Sequence, residues 1–301
     1  MVQDIFIGVD GGGTKSKIRI EDQYGKILGQ AVSGPANIRL SVDQAWHSIY
    51  AGIHTALELV GLELQDTAYH FHIGLGLAGC EVREAYNDFL SRSHPFKTIQ
   101  LASDAYVACV GAHELQDGAI IIVGTGVVGY QIEHQHQSKV GGWGFPHDDE
   151  GGGAWLGLEA AKLTFQWLDH RIEKSALVED IFAFFNQDIA TLTTWANQAN
   201  ATEFARLAPI VINHSQQEEI QAVRLMKKAA HAVDRISAAL IKLQKKESQI
   251  PCCLFGGVAP FIEPWLGEEL RARLVPRKLD ANGGAILMIK NWVQHAVTNG
   301  S

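Results

Sequence analysis

The chain has 301 residues, of which 47% are hydrophobic and 19% charged, and this length and composition predict a folded protein of two domains. Its 33 Asp and Glu residues outnumber 25 Lys and Arg, and the resulting net charge of −8 disfavours binding to nucleic acid. The four cysteines form no CxxC pair of the kind found in zinc and redox sites. The sequence contains no signal-peptide pattern and no apolar run of about 18 residues, so we expect a cytoplasmic protein with no membrane span.

Residues 1–116 predict a first α/β domain. Continuous apolar runs such as 5–9 indicate buried strands, and period-two alternation such as 17–21 indicates half-exposed strands. Ser41 is a typical helix cap that precedes apolar residues at helical spacing. In chain order the predicted elements are strands at 5–9, 17–21 and 27–32, a helix at 43–60, a strand at 72–77, a helix at 83–91, a strand at 98–101 and a helix at 105–113.

Residues 117–281 predict a second domain that begins with the same pattern. A strand, a Gly/Thr turn and another strand occur near residue 10 and again near residue 125, which predicts duplicated α/β lobes with a cleft between them. We expect a C-terminal segment at about 282–301, with a helix at 282–297, to pack back on the first lobe. The other predicted elements are strands at 119–124 and 127–133, a helical insertion at 153–246 with a long helix at 216–246, and a strand at 252–255 before another helix.

The turn Asp10-Gly11-Gly12-Gly13-Thr14-Lys15 is the first candidate for chemistry. Its glycines allow backbone N–H groups to approach a phosphate, and Thr14 and Lys15 add a hydroxyl group and a positive charge. Asp10 at the strand end is a candidate to hold Mg²⁺ through water. The turn matches neither the Walker A loop nor the GxGxxG fingerprint, and a plain hairpin is the alternative interpretation.

Two further glycine turns follow strands in the second domain. Gly124-Thr125-Gly126 repeats the chemistry of the first turn, and the two turns could grip phosphates from opposite sides. Gly256-Gly257 lies between a strand and a helix and could accommodate the adenosine end of a nucleotide. Ordinary turns are the alternative for both segments.

Asp104 follows a strand and opens a helix, which makes it a candidate general base. At a phosphoryl-transfer site it would accept the proton of the attacking hydroxyl group. Aspartate is also common at this position because it caps backbone N–H groups, and this second interpretation stays open.

A glycine-rich segment contains Trp143 and the acids Asp148, Asp149 and Glu150. Carboxylates beside an aromatic ring suit a sugar, which offers hydroxyl groups and C–H faces. Asn37 could also bind sugar hydroxyl groups, although a turn asparagine is the commoner explanation.

Together these motifs resemble the BadF/BadG/BcrA/BcrD ATPase family, and within it the N-acetylglucosamine kinase and bacterial glucosamine kinase branch. The similarity spans nearly the whole chain. The motifs that carry it are DGGGT at 10–14, SDA at 103–105, GTG at 124–126, GGWGFPxxDEG at 141–151 and FGG at 255–257. The resemblance implies an α/β fold of two RNase H-like lobes around a nucleotide cleft, as in the actin, hexokinase and heat-shock ATPase superfamily.

The resemblance also implies an activity, in which Mg-ATP donates its γ-phosphoryl group to the 6-hydroxyl of an amino sugar, either glucosamine or N-acetylglucosamine. It implies small-molecule partners, with a homodimer as the default assembly. Asp104 would be the base, Thr14 and Thr125 with their glycine neighbours would face the phosphates, and Gly256 and Gly257 would form the adenosine loop. The sugar-binding positions it implies are Asn37, Asp104, Gly142, Trp143, Gly144 and Asp149.

Two departures from the family pattern affect the choice of sugar. Val127-Val128 stand where relatives often have serine, or serine and asparagine, after GTG, and Gly152 stands where DEGS is common. The first change removes polar side chains near the expected 2-substituent of the sugar. Because a free 2-amine is cationic near neutral pH, the acids at 148–150 favour glucosamine, and both sugars stay open.

Two other classes of protein are alternatives. A reductase-activating ATPase needs clustered or dimer-bridging cysteines, and Cys80 and Cys109 lie in apolar contexts unlike that arrangement. A non-catalytic sensor of sugar or nucleotide would be expected to have lost its phosphate turns or its base, whereas Asp10, Asp104 and Thr125 are present.

Overall fold

The computed structural model describes residues 2–245 and 250–298, without the side chains of 297 and 298. The chain divides into two compact parts, which we call unit 1 (Met1–Gly118 with Pro276–Ser301) and unit 2 (Ala119–Val275). Residues 246 and 299–301, which were predicted to end the long helix and the C-terminal segment, lie outside the described residues.

Unit 1 is built around a five-stranded sheet. Strand β1 is central, paired antiparallel with β2 and parallel with β4, and the strand order is β3-β2-β1-β4-β5. The carboxyl ends of β1, β4 and β5 therefore lie along one edge of this sheet. Its elements are β1 (Gln3–Gly11), β2 (Ser16–Asp22), β3 (Ile27–Ser33), α1 (Val42–Glu58), β4 (Tyr69–Leu77), α2 (Arg83–Ser91), β5 (Thr98–Ala102), α3 (Asp104–His113) and the C-terminal α12 (Ala281–Thr298).

The elements of unit 1 form for reasons visible in its sequence. Strand β1 is a run of buried apolar residues, including Ile5 and Ile7, as expected for a strand covered on both faces. Helix α1 begins at its cap Ser41, whose hydroxyl group accepts a hydrogen bond from the Gln44 N–H at 3.1 Å. The predicted strands and helices of this unit are confirmed, with ends shifted by a few residues.

Helix α12 packs closely on the sheet of unit 1. A Cβ atom at Gly8 of β1 or at Gly74 of β4 would overlap the backbone of α12 at Asn282 or Ala285. Glycine at these two positions lets the helix approach the strands, and this contact fixes residue 280, just before α12, relative to the carboxyl end of β1.

Unit 2 repeats the start of this topology. Its four-stranded sheet has the order β8-β7-β6-β9, and β9 is parallel to β6 as β4 is parallel to β1. Its main core lies among this sheet and helices that include α4, α8 and α9. The elements are β6 (Gly118–Val123), β7 (Val127–Glu133), β8 (His136–Gly141), α4 (Gly153–Leu168), α5 (Ala176–Phe184), α6 (Ile189–Gln198), α7 (Ala201–Ala205), α8 (Ala208–Gln216), α9 (Ile220–Leu243), β9 (Cys252–Phe255), α10 (Ala259–Ile262), a 3₁₀ turn (Glu263–Trp265) and α11 (Glu268–Arg271).

The predicted start of the long helix is wrong. Gln216 is the last residue of α8, and α9 begins only at Ile220. Glu218 between them has φ +60°, which interrupts the helix, and the Glu219 carboxylate then caps α9 by accepting from the Ala222 N–H at 2.6 Å. The remainder of 153–246 is mostly helical, as predicted.

Candidate active site

The turn between β1 and β2 presents unused backbone donors. The Gly12 N–H is bonded to the Lys15 carbonyl at 3.0 Å, whereas the N–H groups of Gly13 and Thr14 meet no acceptor within the described residues. Gly13, Thr14 and Lys15 are exposed, and a Cβ at Gly13 would find open space. Two adjacent free N–H groups beside a lysine can bind an anion such as a phosphate group.

Asp10 lies directly before this turn, half-buried and opposite Lys17 of β2. Burial raises the pKa of Asp10 to about 6; the negative charges of Asp104 and Asp280 add to the rise, and Lys17 and Lys15 oppose it. Asp104 and Asp280 are therefore close enough to Asp10 to act on its charge. Asp280 was missed in the sequence, because only the position of α12 brings it to this edge of the sheet.

Asp104 is the first residue of α3, at the end of β5. Ser103 caps the helix, since its hydroxyl group accepts from the Tyr106 N–H at 3.1 Å. The Asp104 carboxylate accepts from the neighbouring Ala105 N–H at 2.8 Å. This backbone hydrogen bond fits the capping interpretation of Asp104, and the role of general base stays a prediction.

The loop that contains Asn37 is tied to the turn after β1. The Ala36 N–H donates to the Gly12 carbonyl, and the Ala78 N–H to the Gly11 carbonyl, both at 2.9 Å. Asn37 therefore lies one residue from a direct contact with the turn. Its side-chain oxygen accepts from the Arg39 N–H at 3.1 Å, which is the interaction expected of an asparagine in a turn. This bond also fixes the orientation of the side-chain amide.

In unit 2, the turn Gly124-Thr125-Gly126 is held from behind by the start of α4. The N–H groups of Gly153 and Ala154 donate to the carbonyls of Gly124 and Thr125 at 2.8 and 2.9 Å. The N–H groups of Thr125 and Gly126 meet no acceptor in the described part of the chain. The helix start thus fixes the carbonyl side of the turn, and its N–H side is left for a ligand.

Asp149 supports the same turn. Its carboxylate accepts from the Val127 N–H at 3.2 Å and lies against Gly126, where a Cβ would collide with it. Burial raises the pKa of Asp149, and the Val127 N–H opposes that rise. This contact was not foreseen from the sequence, because it joins residues 22 positions apart.

The segment before Asp149 is a shaped loop. Gly142 and Gly144 have φ of +71° and +104°, values that other residues rarely adopt, and the Phe145–Pro146 peptide bond is cis. The Asp148 carboxylate accepts from the Trp143 N–H at 3.0 Å. Trp143 is 83% exposed, and the Lys139 ammonium lies over one face of its ring at 5.9 Å from the centroid, so the other face is available to a ligand.

A cavity of about 690 Å³ lies in unit 2 beside the Gly124-Thr125-Gly126 turn. Gly257 is among its walls, while Gly256, with φ +98°, packs on the backbone of Val123 and Gly124. The lining residues are Gly124, Thr125, Gly153, Ala205, Ala208, Pro209, Ile212, Asn213, Gln216, Gly257, Val258 and Phe261. Those from α7, α8 and α10 were missed, because they come from a helical stretch with no recognisable motif.

The structure thus groups the predicted site residues within each unit. Unit 1 holds the 10–15 turn, Asn37 and Asp104 near one edge of its sheet, and unit 2 holds the 124–126 turn, the 142–149 loop and Gly256-Gly257. Burial raises the pKa of the Cys80 thiol to about 12, which makes it an unreactive cysteine. In the described ranges no group of histidine, cysteine and acidic residues forms a metal cluster by itself, and no helix is long and apolar enough to cross a membrane.

The sequence model of the BadF/BadG/BcrA/BcrD ATPase family matches residues 7–271. The chain belongs to this family. Among the relatives of this chain, the glucosamine kinase GspK of Vibrio cholerae serotype O1 is 36% identical over 94% of this chain and 94% of its own length.

Solved structures agree with the family assignment. A Chromobacterium violaceum protein, described as a candidate N-acetylglucosamine kinase, is 33% identical, with a TM-score of 0.87 over 95% of this chain and 98% of its own. The ROK hexokinase of Thermus thermophilus, at 18% identity, has a TM-score of 0.58 over 96% of this chain and 99% of its own, and this likeness concerns the fold alone. The predicted α/β fold class of sugar kinases and related ATPases is confirmed.

Proposed function

We propose that the protein is an ATP-dependent kinase that phosphorylates the 6-hydroxyl group of glucosamine or N-acetylglucosamine. The observation that carries the proposal is the placement of Asp104 near Asp10 and its turn, in a chain 36% identical to a glucosamine kinase. Such a placement suits phosphoryl transfer, which needs phosphate-binding donors and a carboxylate for the acceptor proton.

Each phosphate turn has a proposed role. The free N–H groups of Gly13 and Thr14, with Lys15, bind phosphate oxygens in unit 1, and those of Thr125 and Gly126 do so in unit 2. Gly256 keeps the chain close to the second turn, and Gly257 contributes to the wall beside it.

Asp10 is the proposed magnesium residue. Burial raises the pKa of Asp10 and the charges of Asp104 and Asp280 add to the rise, so a bound cation would stabilise the ionised carboxylate. A single carboxylate also suits Mg²⁺, which keeps several waters and binds phosphate oxygens as well. When bound, the ion would neutralise charge on the phosphate groups.

Asp104 is the proposed base, which accepts the proton of the 6-hydroxyl group as the phosphorus–oxygen bond forms. Its hydrogen bond from the Ala105 N–H fixes the orientation of the carboxylate. We propose that Asn37, Gly142, Trp143, Gly144 and Asp149 bind the sugar. Asn37 and Asp149 would do so from positions tied to the phosphate turn of their own unit, and the exposed Trp143 would offer a ring face.

The preference between the two sugars needs a direct assay. Asp148 accepts from the Trp143 N–H, Asp149 accepts from the Val127 N–H, and Glu150 is paired with Arg235. Only Glu150 is paired with a cationic side chain, so the charge argument for a free 2-amine rests on Asp148 and Asp149. Val128 lies beside Gly142 and would give any nearby substituent an apolar neighbour. The proposal also includes a cytoplasmic homodimer of two-lobed chains with no nucleic-acid or membrane partner.

The test is ADP release with Mg-ATP and glucosamine, N-acetylglucosamine, glucose or N-acetylmannosamine, in the wild type and in Asp104→Asn. We expect one amino sugar to be phosphorylated fastest and the variant to lose about 10²- to 10⁴-fold in kcat, because the base is absent. Asp43→Asn is the matched control, since Asp43 also lies in a first helical turn after a serine cap. No sugar-dependent ADP release by the wild type, or full activity in Asp104→Asn, would rule out the kinase and favour a sensor.

A further inference from the structure

Lys139 lies near the end of strand β8, which leads into the loop that carries Trp143. The sheet register pairs Lys139 with Tyr130 of β7. The lysine side chain follows the loop, since its Cε lies 3.4 Å from the place that a Cβ would take at Gly142 and its ammonium lies 5.9 Å from the centroid of the Trp143 ring. The strand therefore places a cation against the segment proposed to bind the sugar.

The positive charge of Lys139 is not neutralised by an ion pair. Lys139 is exposed, and its ammonium pairs with no carboxylate in the parts of the chain that the structure describes. Elsewhere in unit 2, Lys162 and Lys174 each form an ion pair of 2.6 Å with a glutamate. Because Lys139 lacks such a partner, its charge acts on any group that binds beside Trp143.

The acids of the same loop lie close to this charge. Burial is the largest influence on the pKa of Asp149 and raises it, whereas the charge of Lys139 lowers it. Asp148 is held in the loop by its hydrogen bond from the Trp143 N–H. Lys139 thus offsets part of the negative charge that the two carboxylates would present to a ligand.

The ring of Trp143 separates the cation from the proposed sugar position. Lys139 covers one face, so a sugar that stacks its C–H groups on the ring would use the other. The sugar would then lie roughly 10 Å from the ammonium, which is close to the Debye length of about 10 Å at 0.1 M salt. At this distance the charge repels a cationic group in dilute salt and has little effect on a neutral one.

We propose that Lys139 is a specificity-determining residue, whose ammonium disfavours the cationic 2-amine of glucosamine and shifts the preference towards neutral sugars such as N-acetylglucosamine. The inference rests on the proposed kinase function and concerns the choice of sugar within it. Because Asp148 and Asp149 also contribute to that choice, the inference predicts how the preference changes when the charge at position 139 changes.

A charge series at position 139 tests the inference. The quantity to measure is the ratio of kcat/KM for glucosamine to that for N-acetylglucosamine, with saturating Mg-ATP and about 0.02 M salt, where screening is weak. We expect this ratio to rise about 2- to 5-fold in Lys139→Met and about 5- to 20-fold in Lys139→Glu, and to stay near the wild-type value in Lys139→Arg. If one sugar is not phosphorylated, its inhibition constant against the other replaces its kcat/KM.

Three controls separate charge from other effects. Lys227→Met is the matched variant, since the Lys227 ammonium also lies 5.9 Å from the centroid of a tryptophan ring, that of Trp265, outside the sugar loop. Its sugar ratio should equal that of the wild type. The ratio for glucose to N-acetylglucosamine, both neutral, should not change in Lys139→Met, and the change for glucosamine should shrink in about 0.5 M salt. These ratios do not depend on how much of a variant is folded.

An active wild type whose glucosamine ratio stays the same in Lys139→Met and Lys139→Glu would overturn the inference and leave the kinase proposal intact. A change that persists in high salt, or that alters the glucose ratio equally, would assign the effect to the shape of the Trp143 surface and would also contradict the inference. A wild type with no sugar-dependent ADP release would overturn the kinase proposal itself.

Discussion

The two turns proposed to bind phosphate occupy equivalent places in their sheets but are supported differently. The 10–15 turn joins β1 to its antiparallel neighbour, is exposed at Gly13, and follows an acid in the strand itself. The 124–126 turn rests on the first residues of α4 and on the Asp149 carboxylate. The first turn therefore places charge beside the proposed ligand site, whereas the second is held by hydrogen bonds to its backbone.

The acid beside each turn therefore has a different role, although the two turns share one topology. In unit 1 burial raises the free-energy cost of ionising Asp10, the charges of Asp104 and Asp280 add to this cost, and Lys17 offsets part of it. In unit 2 the acid next to the turn is used for structure, since Asp149 accepts a backbone hydrogen bond. Loss of the Asp10 charge should therefore stabilise the folded protein, whereas added bulk at the second turn should destabilise it.

The largest effects are expected for Asp10→Asn. Activity should fall about 10³-fold or more, because the proposed magnesium residue is lost, yet the protein without nucleotide should be more stable at pH 8. Folding raises the pKa of Asp10 from 3.8 to about 6, so its ionisation destabilises the folded state as pH rises through this window. Above pH 6 the cost is up to about 3 kcal/mol, and asparagine avoids it.

Urea unfolding in EDTA from pH 4 to pH 8 measures this effect. The two proteins should differ little at pH 4, where Asp10 is largely protonated, and the advantage of the variant should grow up to pH 6 and then stay constant. Asp43→Asn, at an exposed position, provides the control. An Asp10→Asn protein less stable than the wild type at pH 8 would contradict the proposed cost of burial.

A smaller effect is expected from adding one methyl group to each turn. Gly126→Ala places a Cβ against the Asp149 carboxylate and should destabilise the protein by about 1–3 kcal/mol, as overpacking does. Gly13→Ala places the same group in open space, and its stability should change by less than about 0.5 kcal/mol.

Thermal unfolding of the two alanine variants gives the comparison directly. Because the substitution is identical, each variant serves as the control for the other. Equal melting temperatures for Gly126→Ala and Gly13→Ala would show that the second turn is not the more tightly packed one.

Much of the fold could be predicted because strong local signals coincide with real elements. The buried run of β1, the Ser41 cap and the strand at 252–255 all match the structure closely. Strand β8, with the polar sequence HQSKVG, carries no such signal and forms because it pairs with β7. The helix break at 217–219 contains no glycine or proline, so the local sequence did not indicate it.

The site was predicted where glycine and acidic motifs mark it, and these assignments stay predictions. Residues contributed by tertiary packing were missed. Asp280 reaches the neighbourhood of Asp10 only because α12 packs on β1 and β4, and Asn213 lines a cavity only because α8 lies beside the 124–126 turn. A sequence motif covers only neighbouring residues, so it cannot reveal contacts between residues this far apart in the chain.

The smallest and most specific effect concerns Asp149, which the proposal gives a second task besides sugar binding. Its carboxylate joins the sugar loop to the phosphate turn through the Val127 N–H, so a change there should affect both substrates. Asp149→Asn keeps one oxygen as an acceptor but removes the charge, and we expect KM to rise about 3- to 10-fold for both sugar and ATP, in line with one weakened hydrogen bond.

Asp148→Asn is the matched control, because Asp148 accepts from Trp143 within the sugar loop and should alter KM for the sugar alone. Initial-rate kinetics with each substrate varied in turn separates the two outcomes. If Asp149→Asn changed only the sugar KM, the carboxylate would bind sugar without positioning the turn, and the second turn would depend on α4 alone.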